Sequence, residues 1–87
     1  MTADELVAAL DGSDVPALLT SLGFRLEFVA EKVLSTQGPV TVSQVAMLWM
    51  GMPNKHDRKR TRQLLDALAD AGLLERAGED TYTIART

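Results

Sequence analysis

The sequence predicts a small α+β fold in which helices predominate. Apolar residues recur every three or four positions through most of the chain, which is the spacing of helices that bury one face. After Gly72 the period changes to two, which is typical of strands. Glycine and proline separate the periodic segments. The 87 residues suffice for one small domain with little margin for a larger core.

The composition excludes several kinds of site and location. The chain has no cysteine, which rules out disulfides, thiolate metal sites and a cysteine nucleophile, and fits a reducing compartment. No apolar run has the length of a transmembrane helix, and the N-terminus lacks the order of a signal peptide. We therefore expect a soluble, cytoplasmic protein without membrane contact.

Residues 1–22 are expected to form an acidic helical extension to a domain over residues 23–87. The extension has four acidic residues and no basic one. Thr2 and Glu5 have the spacing of a capping box and predict a short helix through Leu10.

A second short helix is expected to run through Leu22. Ser13 or Asp14 can cap it, and Pro16 is tolerated in its first turn. Its leucines favour ordered packing over a flexible arm. Three of them are expected to be buried: Leu18, Leu19 and Leu22.

The middle of the chain predicts a helix, a short strand and a helix. Residues 24–36 have helical apolar spacing and are followed by a Gly-Pro pair that ends the helix. Residues 40–42 are β-branched and predict an extended segment. Ser43 is expected to cap a helix that runs to Met50.

The longest predicted helix runs from Asn54 to Gly72, with a good N-cap at one end and a left-handed C′ glycine at the other. Its apolar stripe is Thr61, Leu64, Leu65, Leu68 and Ala71. On or beside the opposite face are Lys55, Arg58, Lys59 and Arg62. This helix is therefore expected to have a buried C-terminal half and a cationic, solvated N-terminal half.

The residues after Gly72 predict a β-hairpin. Residues 73–76 and 81–85 read as strands, and residues 77–80 read as the loop, with Gly78 at a turn position.

Two stretches carry a resemblance to a known family. Residues 41–46 resemble the entry to the second helix of the winged helix-turn-helix family, and residues 61–74 resemble its recognition helix running into the wing. The resemblance implies a three-helix core plus a C-terminal β-hairpin wing, preceded here by two short helices. It also implies double-stranded DNA as the partner, with the recognition helix in the major groove. Some members of this family bind proteins instead, so the fold alone leaves the partner open.

The predicted wing departs from the family pattern because its loop carries Glu79 and Asp80. Carboxylates are repelled by phosphates, so we expect the helix to bind DNA while the wing tip stays clear. From the hairpin side, only Arg76 and Arg86 are available to help.

The basic cluster is the chemically informative feature, since five of the nine basic residues lie between Lys55 and Arg62. The DNA interpretation assigns phosphate contacts to Lys55, Lys59 and Arg60. It assigns base edges to Arg58 and Arg62, because a guanidinium can bond guanine with two hydrogen bonds. Additional hydrogen bonds are expected from Asn54, His56 and Gln63.

The alternative interpretation of the basic cluster is a solvated helix face. Cations near a helix N-terminus oppose the helix dipole by ~0.3–1 kcal/mol each, so their concentration there favours an anionic partner. Asp66 and Asp70 are expected to be solvated, Asp57 to steady the dipole, and Trp49 with its neighbouring methionines to fill the core. Met50 and Met52 are the possible exceptions, exposed toward a partner.

No catalytic or metal-binding pattern is present. A lone histidine makes no zinc set, and there is no phosphate-cradling glycine loop or nucleophile triad. We expect a protein that is not an enzyme and uses no cofactor, metal or small-molecule substrate.

The expected function is sequence-specific binding of double-stranded DNA, as a transcriptional regulator or a phage- or plasmid-type accessory factor. One copy has a small footprint, which favours a homodimer, and the leucines of residues 6–22 are the candidate dimer surface. The alternative is a protein-interaction module that binds no DNA, which the net charge of −3 favours. A third possibility is that the acidic helices mask the basic cluster within one molecule.

Overall fold

The computed structural model describes residues 2–36 and 38–85. The chain divides into two compact units, Met1–Ser35 and Thr36–Thr87. Over the described residues the fold is α+β, as predicted, with five helices and a three-stranded antiparallel sheet. The sequence predicts that the functional domain begins at residue 23. This boundary stays a prediction, because the two units are defined by compactness and not by function.

The first unit begins with helix α1, Ala3–Ala9. The predicted capping box is confirmed: the Glu5 amide donates to the Thr2 hydroxyl at 3.2 Å, and the Thr2 amide donates to the Glu5 carboxylate at 3.1 Å. Leu6 and Leu10 are buried.

Helix α2 spans Val15–Ser21. Asp14 occupies its N-cap position, but the capping side chain is that of Ser13, one residue earlier. The Val15 amide donates to the Ser13 hydroxyl at 3.1 Å, whereas the Asp14 side chain makes no capping bond. Leu19 is buried, but Leu18 is 42% exposed and Leu22 is half-buried. The predicted burial of Leu18 is therefore wrong, because a two-turn helix buries only one narrow face.

Helix α3 was predicted over residues 24–36 and is shorter at both ends. It is α-helical over Leu26–Phe28 and continues with π-type turns over Val29–Val33. The Leu34 amide donates to the Val29 carbonyl, five residues back, at 2.9 Å. Phe24 precedes the helix because its amide closes the end of α2 on the Leu19 carbonyl. Both α1 and α2 contact α3.

The second unit begins with strand β1, Val40–Thr41, and helix α4, Val42–Trp49. The cap of α4 is Thr41, so the prediction of Ser43 is wrong. Thr41 and Gln44 exchange two capping bonds, both 3.1 Å long, and this reciprocal pair fixes the start of the helix. Val42 consequently belongs to the helix and not to the strand.

Helix α5, Lys55–Asp70, has the predicted ends. Asn54 and Asp57 form a capping box with bonds of 2.9 and 3.0 Å. Gly72 is left-handed at φ +85°, and the Leu73 amide donates to the Leu68 carbonyl across it. Ala71 is exposed because it caps the helix, which corrects its predicted place in the stripe. The buried face of α5 consists of Asp57, Thr61, Leu64, Leu65, Ala67 and Leu68.

Strands β2, Leu74–Gly78, and β3, Thr81–Ile84, form the predicted hairpin, and β3 also pairs with β1. The hairpin turn is only Glu79 and Asp80, since Gly78 pairs with Thr81. Asp80, not Gly78, takes the left-handed conformation, with φ +60°. The predicted four-residue loop is therefore wrong.

The second unit has its core between the two long helices and the sheet. Helix α5 contacts both α4 and β2, and α4 contacts β1. The first two turns of α5 keep one face exposed to solvent, on the side away from the buried residues of this helix. None of the helices in the described residues is both long and apolar enough to cross a membrane.

Candidate nucleic-acid interface

The first turns of α5, the start of α4 and the hairpin turn enclose a groove of about 570 Å³. We call it the basic groove. Its lining residues are Val42, Ser43, Lys55, His56, Arg58, Lys59, Arg62 and Asp80. The structure therefore brings together five of the residues predicted to bind DNA and adds three others.

The cations of the basic groove lie on one face of α5 because of their spacing. At 3.6 residues per turn, Lys55, Lys59 and Arg62 follow each other along a single stripe, with Arg58 beside it. All four side chains are exposed. The capping box fixes where the helix starts and hence the direction in which each of these side chains leaves it.

The Arg58 side chain lies near the N-terminal end of α5. Its Nη1 is 3.4 Å from the Pro53 carbonyl oxygen, a long hydrogen bond at an exposed position. Such a contact is weak enough to be exchanged for a ligand oxygen.

Arg62 is held within the basic groove by an acidic residue. Its guanidinium forms an ion pair with the Asp80 carboxylate, and both side chains are nearly half exposed. The acidic residue belongs to the hairpin turn, which sequence reasoning expected to stay clear of a bound duplex. Asp80 instead lies at the edge of the groove.

Arg76 lies beside the C-terminal half of α5 and outside the basic groove. Its Nη2 is 3.1 Å from an Asp70 carboxylate oxygen and 3.4 Å from an Asp66 oxygen. The hydrogen bond to Asp70 raises the pKa of the Arg76 guanidinium. Asp66 and Asp70 are predicted to be solvated, and the Asp70 side chain is indeed 74% exposed, whereas that of Asp66 is 40% exposed. The pairing of both carboxylates with Arg76 was not predicted.

Tyr82 shares one of these carboxylates. Its hydroxyl donates to Asp66 at 2.5 Å. Burial, and then this hydrogen bond to a charged acceptor, raise the pKa of Tyr82 to about 12. The carboxylates of α5 beyond the basic groove therefore connect this helix to the hairpin.

Arg60 is directed to α4. Its guanidinium carbon is 4.9 Å from the centre of the Trp49 ring, within cation–π distance. Trp49 also donates through Nε1 to the Thr61 hydroxyl at 3.0 Å. The predicted phosphate contact of Arg60 stays a prediction, but its contact in the structure joins the two helices.

The remaining predicted residues have varied positions. The Asn54 side chain is in the capping box, Gln63 is exposed outside the basic groove, and Arg86 lies outside the described residues. Among residues 2–36 and 38–85, no group of three potential metal ligands occurs. Asp57, beside His56, is a buried capping residue.

Comparison with protein-family models, with curated proteins and with solved structures found no match. The chemistry of the basic groove is therefore the basis for assigning a function. The lining residues that were not predicted are Val42, Ser43 and Asp80. The capping-box spacing of Thr41 and Gln44 was a readable signal for Ser43, because it puts that residue in the exposed first turn of α4. No local signal pointed to Asp80.

Proposed function

We propose that the chain binds double-stranded DNA with the first turns of α5 in the major groove, as a winged helix-turn-helix domain. The observation that supports this most is the basic groove, where four cations and a histidine line one cleft. The major groove is about 12 Å wide and admits one helix with its side chains. The order of elements from α3 onward is the one that the family resemblance implied.

The cations divide by chemistry into two roles. Lys55 and Lys59 carry compact charges on flexible stems, which suit phosphate contacts. Arg58 and Arg62 carry planar forks that can bond the O6 and N7 atoms of guanine. Ser43 adds a hydroxyl from α4 that is suited to a phosphate oxygen.

Biologically, the proposed role is a transcriptional regulator or a phage- or plasmid-type accessory factor. One helix reads few base pairs, so a second copy or adjacent copies are needed for useful specificity. Leu6, Leu10 and Leu19 are buried and cannot form the proposed dimer surface. Among residues 2–22, the exposed large apolar side chains that can contribute are Val7 and Leu18.

The test is a titration with mixed-sequence duplex DNA at low and at physiological salt. The wild-type protein is expected to bind at low salt and to lose affinity as salt rises, because phosphate contacts release counterions. In Lys55→Ala plus Lys59→Ala, affinity should fall and the salt slope should decrease by about two, roughly one for each phosphate contact removed.

The control is Arg25→Ala plus Lys32→Ala, which makes the same change in net charge in the first unit. This variant should keep the wild-type affinity and salt slope. Equal losses in both double variants would mean that net charge, and not the basic groove, governs binding. No binding by wild-type protein at low salt would refute the proposal.

A second candidate function is docking of an acidic protein segment without DNA. It is favoured by four exposed large apolar side chains on α4 and the loop after it: Met47, Leu48, Met50 and Met52. Met47 is 62% exposed, so the prediction that it fills the core is wrong, whereas Met52, at 93% exposed, is one of the two exceptions that the sequence indicated. Polarisable methionines suit adaptable protein contacts. Under this alternative, Met47→Gln plus Met52→Gln abolishes partner binding, whereas DNA binding does not depend on them.

A further inference from the structure

The ion pair between Arg62 and Asp80 places a carboxylate in a groove that otherwise attracts anions. Among the residues that the structure describes, Asp80 is the one acidic residue that lines the basic groove. For a surface that binds phosphates, such a charge is unfavourable by itself, because like charges repel at short distance. Its presence requires a compensating role if the basic groove binds DNA.

The backbone fixes where the Asp80 carboxylate lies. The hairpin turn has only two residues, and Asp80 is its left-handed member at φ +60°. The Asp80 carbonyl also accepts a hydrogen bond from the Val42 amide at 3.0 Å, which connects the turn to the start of α4. The carboxylate is therefore positioned by the fold, and the flexible partner in the pair is Arg62.

A carboxylate that is fixed in this way restricts the orientation of the guanidinium. A guanidinium has five N–H donors in one plane, so a carboxylate that occupies one edge leaves the other edge to donate in a defined direction. An unrestrained arginine can bond any phosphate within reach, whereas an oriented one is prepared for the two acceptors of a guanine. The same carboxylate repels phosphates near Arg62.

We propose that Asp80 is a positioning residue that directs Arg62 toward a base edge and lowers binding to the DNA backbone alone. This inference rests on the proposed function and adds to it a source of sequence selectivity. Asp80 thus decreases affinity for arbitrary DNA and increases discrimination between sequences.

The test compares Asp80→Asn with Glu79→Gln. Asparagine also tolerates the left-handed conformation, so the turn is retained. Glu79 is the adjacent residue, loses the same charge on substitution and does not line the basic groove. Each protein is titrated with mixed-sequence duplex DNA, and each is used to select bound duplexes from a random pool. Circular dichroism checks that the variants are folded.

Asp80→Asn is expected to bind mixed-sequence duplex roughly two- to fivefold more tightly at physiological salt, in keeping with the loss of one exposed ion pair. Its selected pool should lose base preference at the position that Arg62 contacts. Glu79→Gln should retain the wild-type preference, because the Arg62 restraint is intact.

The Arg62→Ala background separates positioning from charge. There, Asp80→Asn should still raise affinity for mixed-sequence duplex, but it should no longer change the base preference. A change in preference that persists without Arg62 would overturn the positioning role.

The failure of this inference is distinct from the failure of the proposed function. Wild-type protein that binds duplex, with Asp80→Asn and Glu79→Gln indistinguishable from it in affinity and preference, overturns the inference alone. Wild-type protein that binds without any base preference also overturns it. If neither the wild-type protein nor any variant binds duplex at low salt, the proposed function and the inference both fail.

Discussion

At the residue scale, Thr61 shows how one buried hydroxyl joins two helices. It accepts from Trp49 Nε1 at 3.0 Å and donates to the Asp57 carbonyl at 2.8 Å. Its side chain is fully buried. The packing of α4 on α5 therefore includes a directed polar contact, which the helical spacing of the sequence marked only as part of an apolar stripe.

Thr61→Val should lower the free energy of unfolding by about 1–2 kcal/mol, because valine keeps the shape and loses both hydrogen bonds. Thr20→Val is the matched control, since its hydroxyl also donates to a carbonyl four residues back, Pro16, but at an exposed position. The control should change stability by less than about 0.5 kcal/mol. Urea unfolding followed by the fluorescence of the single tryptophan measures both. Equal effects would show that the Trp49 contact adds nothing.

Because of Tyr82, the free energy of unfolding should decrease as pH rises above about 10. Its pKa is about 12 in the folded chain against an ordinary value of 10.0. Between these values the unfolded chain loses the phenolic proton and the folded chain keeps it, so stability falls as pH rises. The contribution of this group is fully present below pH ~10, and it decreases by up to about 1.4 kcal/mol per pH unit above that.

Tyr82→Phe removes this contribution. The difference in unfolding free energy between wild type and variant should therefore shrink as pH rises from about 10 to about 12. Tyr82 is the only tyrosine, so phenolate absorbance of the folded protein reports its ionisation directly. Half-ionisation near the ordinary pKa, or a difference that is constant with pH, would contradict the role of burial and Asp66.

At the scale of elements, the ends of α5 were predictable because they depend on nearby residues. An N-cap interacts with amides two or three positions ahead, and a C′ glycine closes bonds over the last turn. The cap of α4 also depends on nearby residues. It was not predicted, because the β-branched residues 40–42 were interpreted as a strand and the capping-box spacing of Thr41 and Gln44 was overlooked. The π-type turns of Val29–Val33 were not predictable, because apolar spacing does not distinguish them from α-helical turns.

Gly72→Ala should cost about 1–2 kcal/mol of stability. A Cβ at this position would meet no atom within 4 Å, so the cost comes from the left-handed backbone at φ +85° alone. Gly51→Ala is the matched control, because a Cβ there also meets nothing within 4 Å and its φ is not positive. That control should be neutral or slightly stabilising. Denaturant midpoints measure both, and equal midpoints would contradict the left-handed end of α5.

At the scale of the whole molecule, charge is distributed unevenly. The net charge is −3, yet the basic groove is lined by four cations. A polyanion is therefore repelled at long range and attracted at short range. The Debye length is about 30 Å at 0.01 M salt, so the long-range repulsion acts during approach. At physiological salt it is about 8 Å, so the repulsion is largely screened and the short-range attraction remains.

Asp4→Asn plus Asp11→Asn raises the net charge of −3 by two without changing the basic groove. At low salt this variant should associate with duplex DNA roughly two- to threefold faster, while its dissociation rate stays unchanged. The acceleration should disappear at physiological salt. Stopped-flow measurements at both salts test this. An acceleration that is independent of salt would indicate a short-range contact of these residues instead.

The sequence by itself determined the start of α1, both ends of α5, the presence of the hairpin and the concentration of cations on one helix face. These features depend on residues within about one turn of each other, so local geometry is enough to predict them. Only the tertiary structure decided the partners of Arg60, Arg62 and Arg76. Asp80 on Arg62, the Asp66–Asp70 pair on Arg76 and Trp49 on Arg60 all join different elements. Their pairing follows from how the hairpin and α4 pack on α5, and burial of apolar surface, which drives that packing, does not specify which charges meet at its edge.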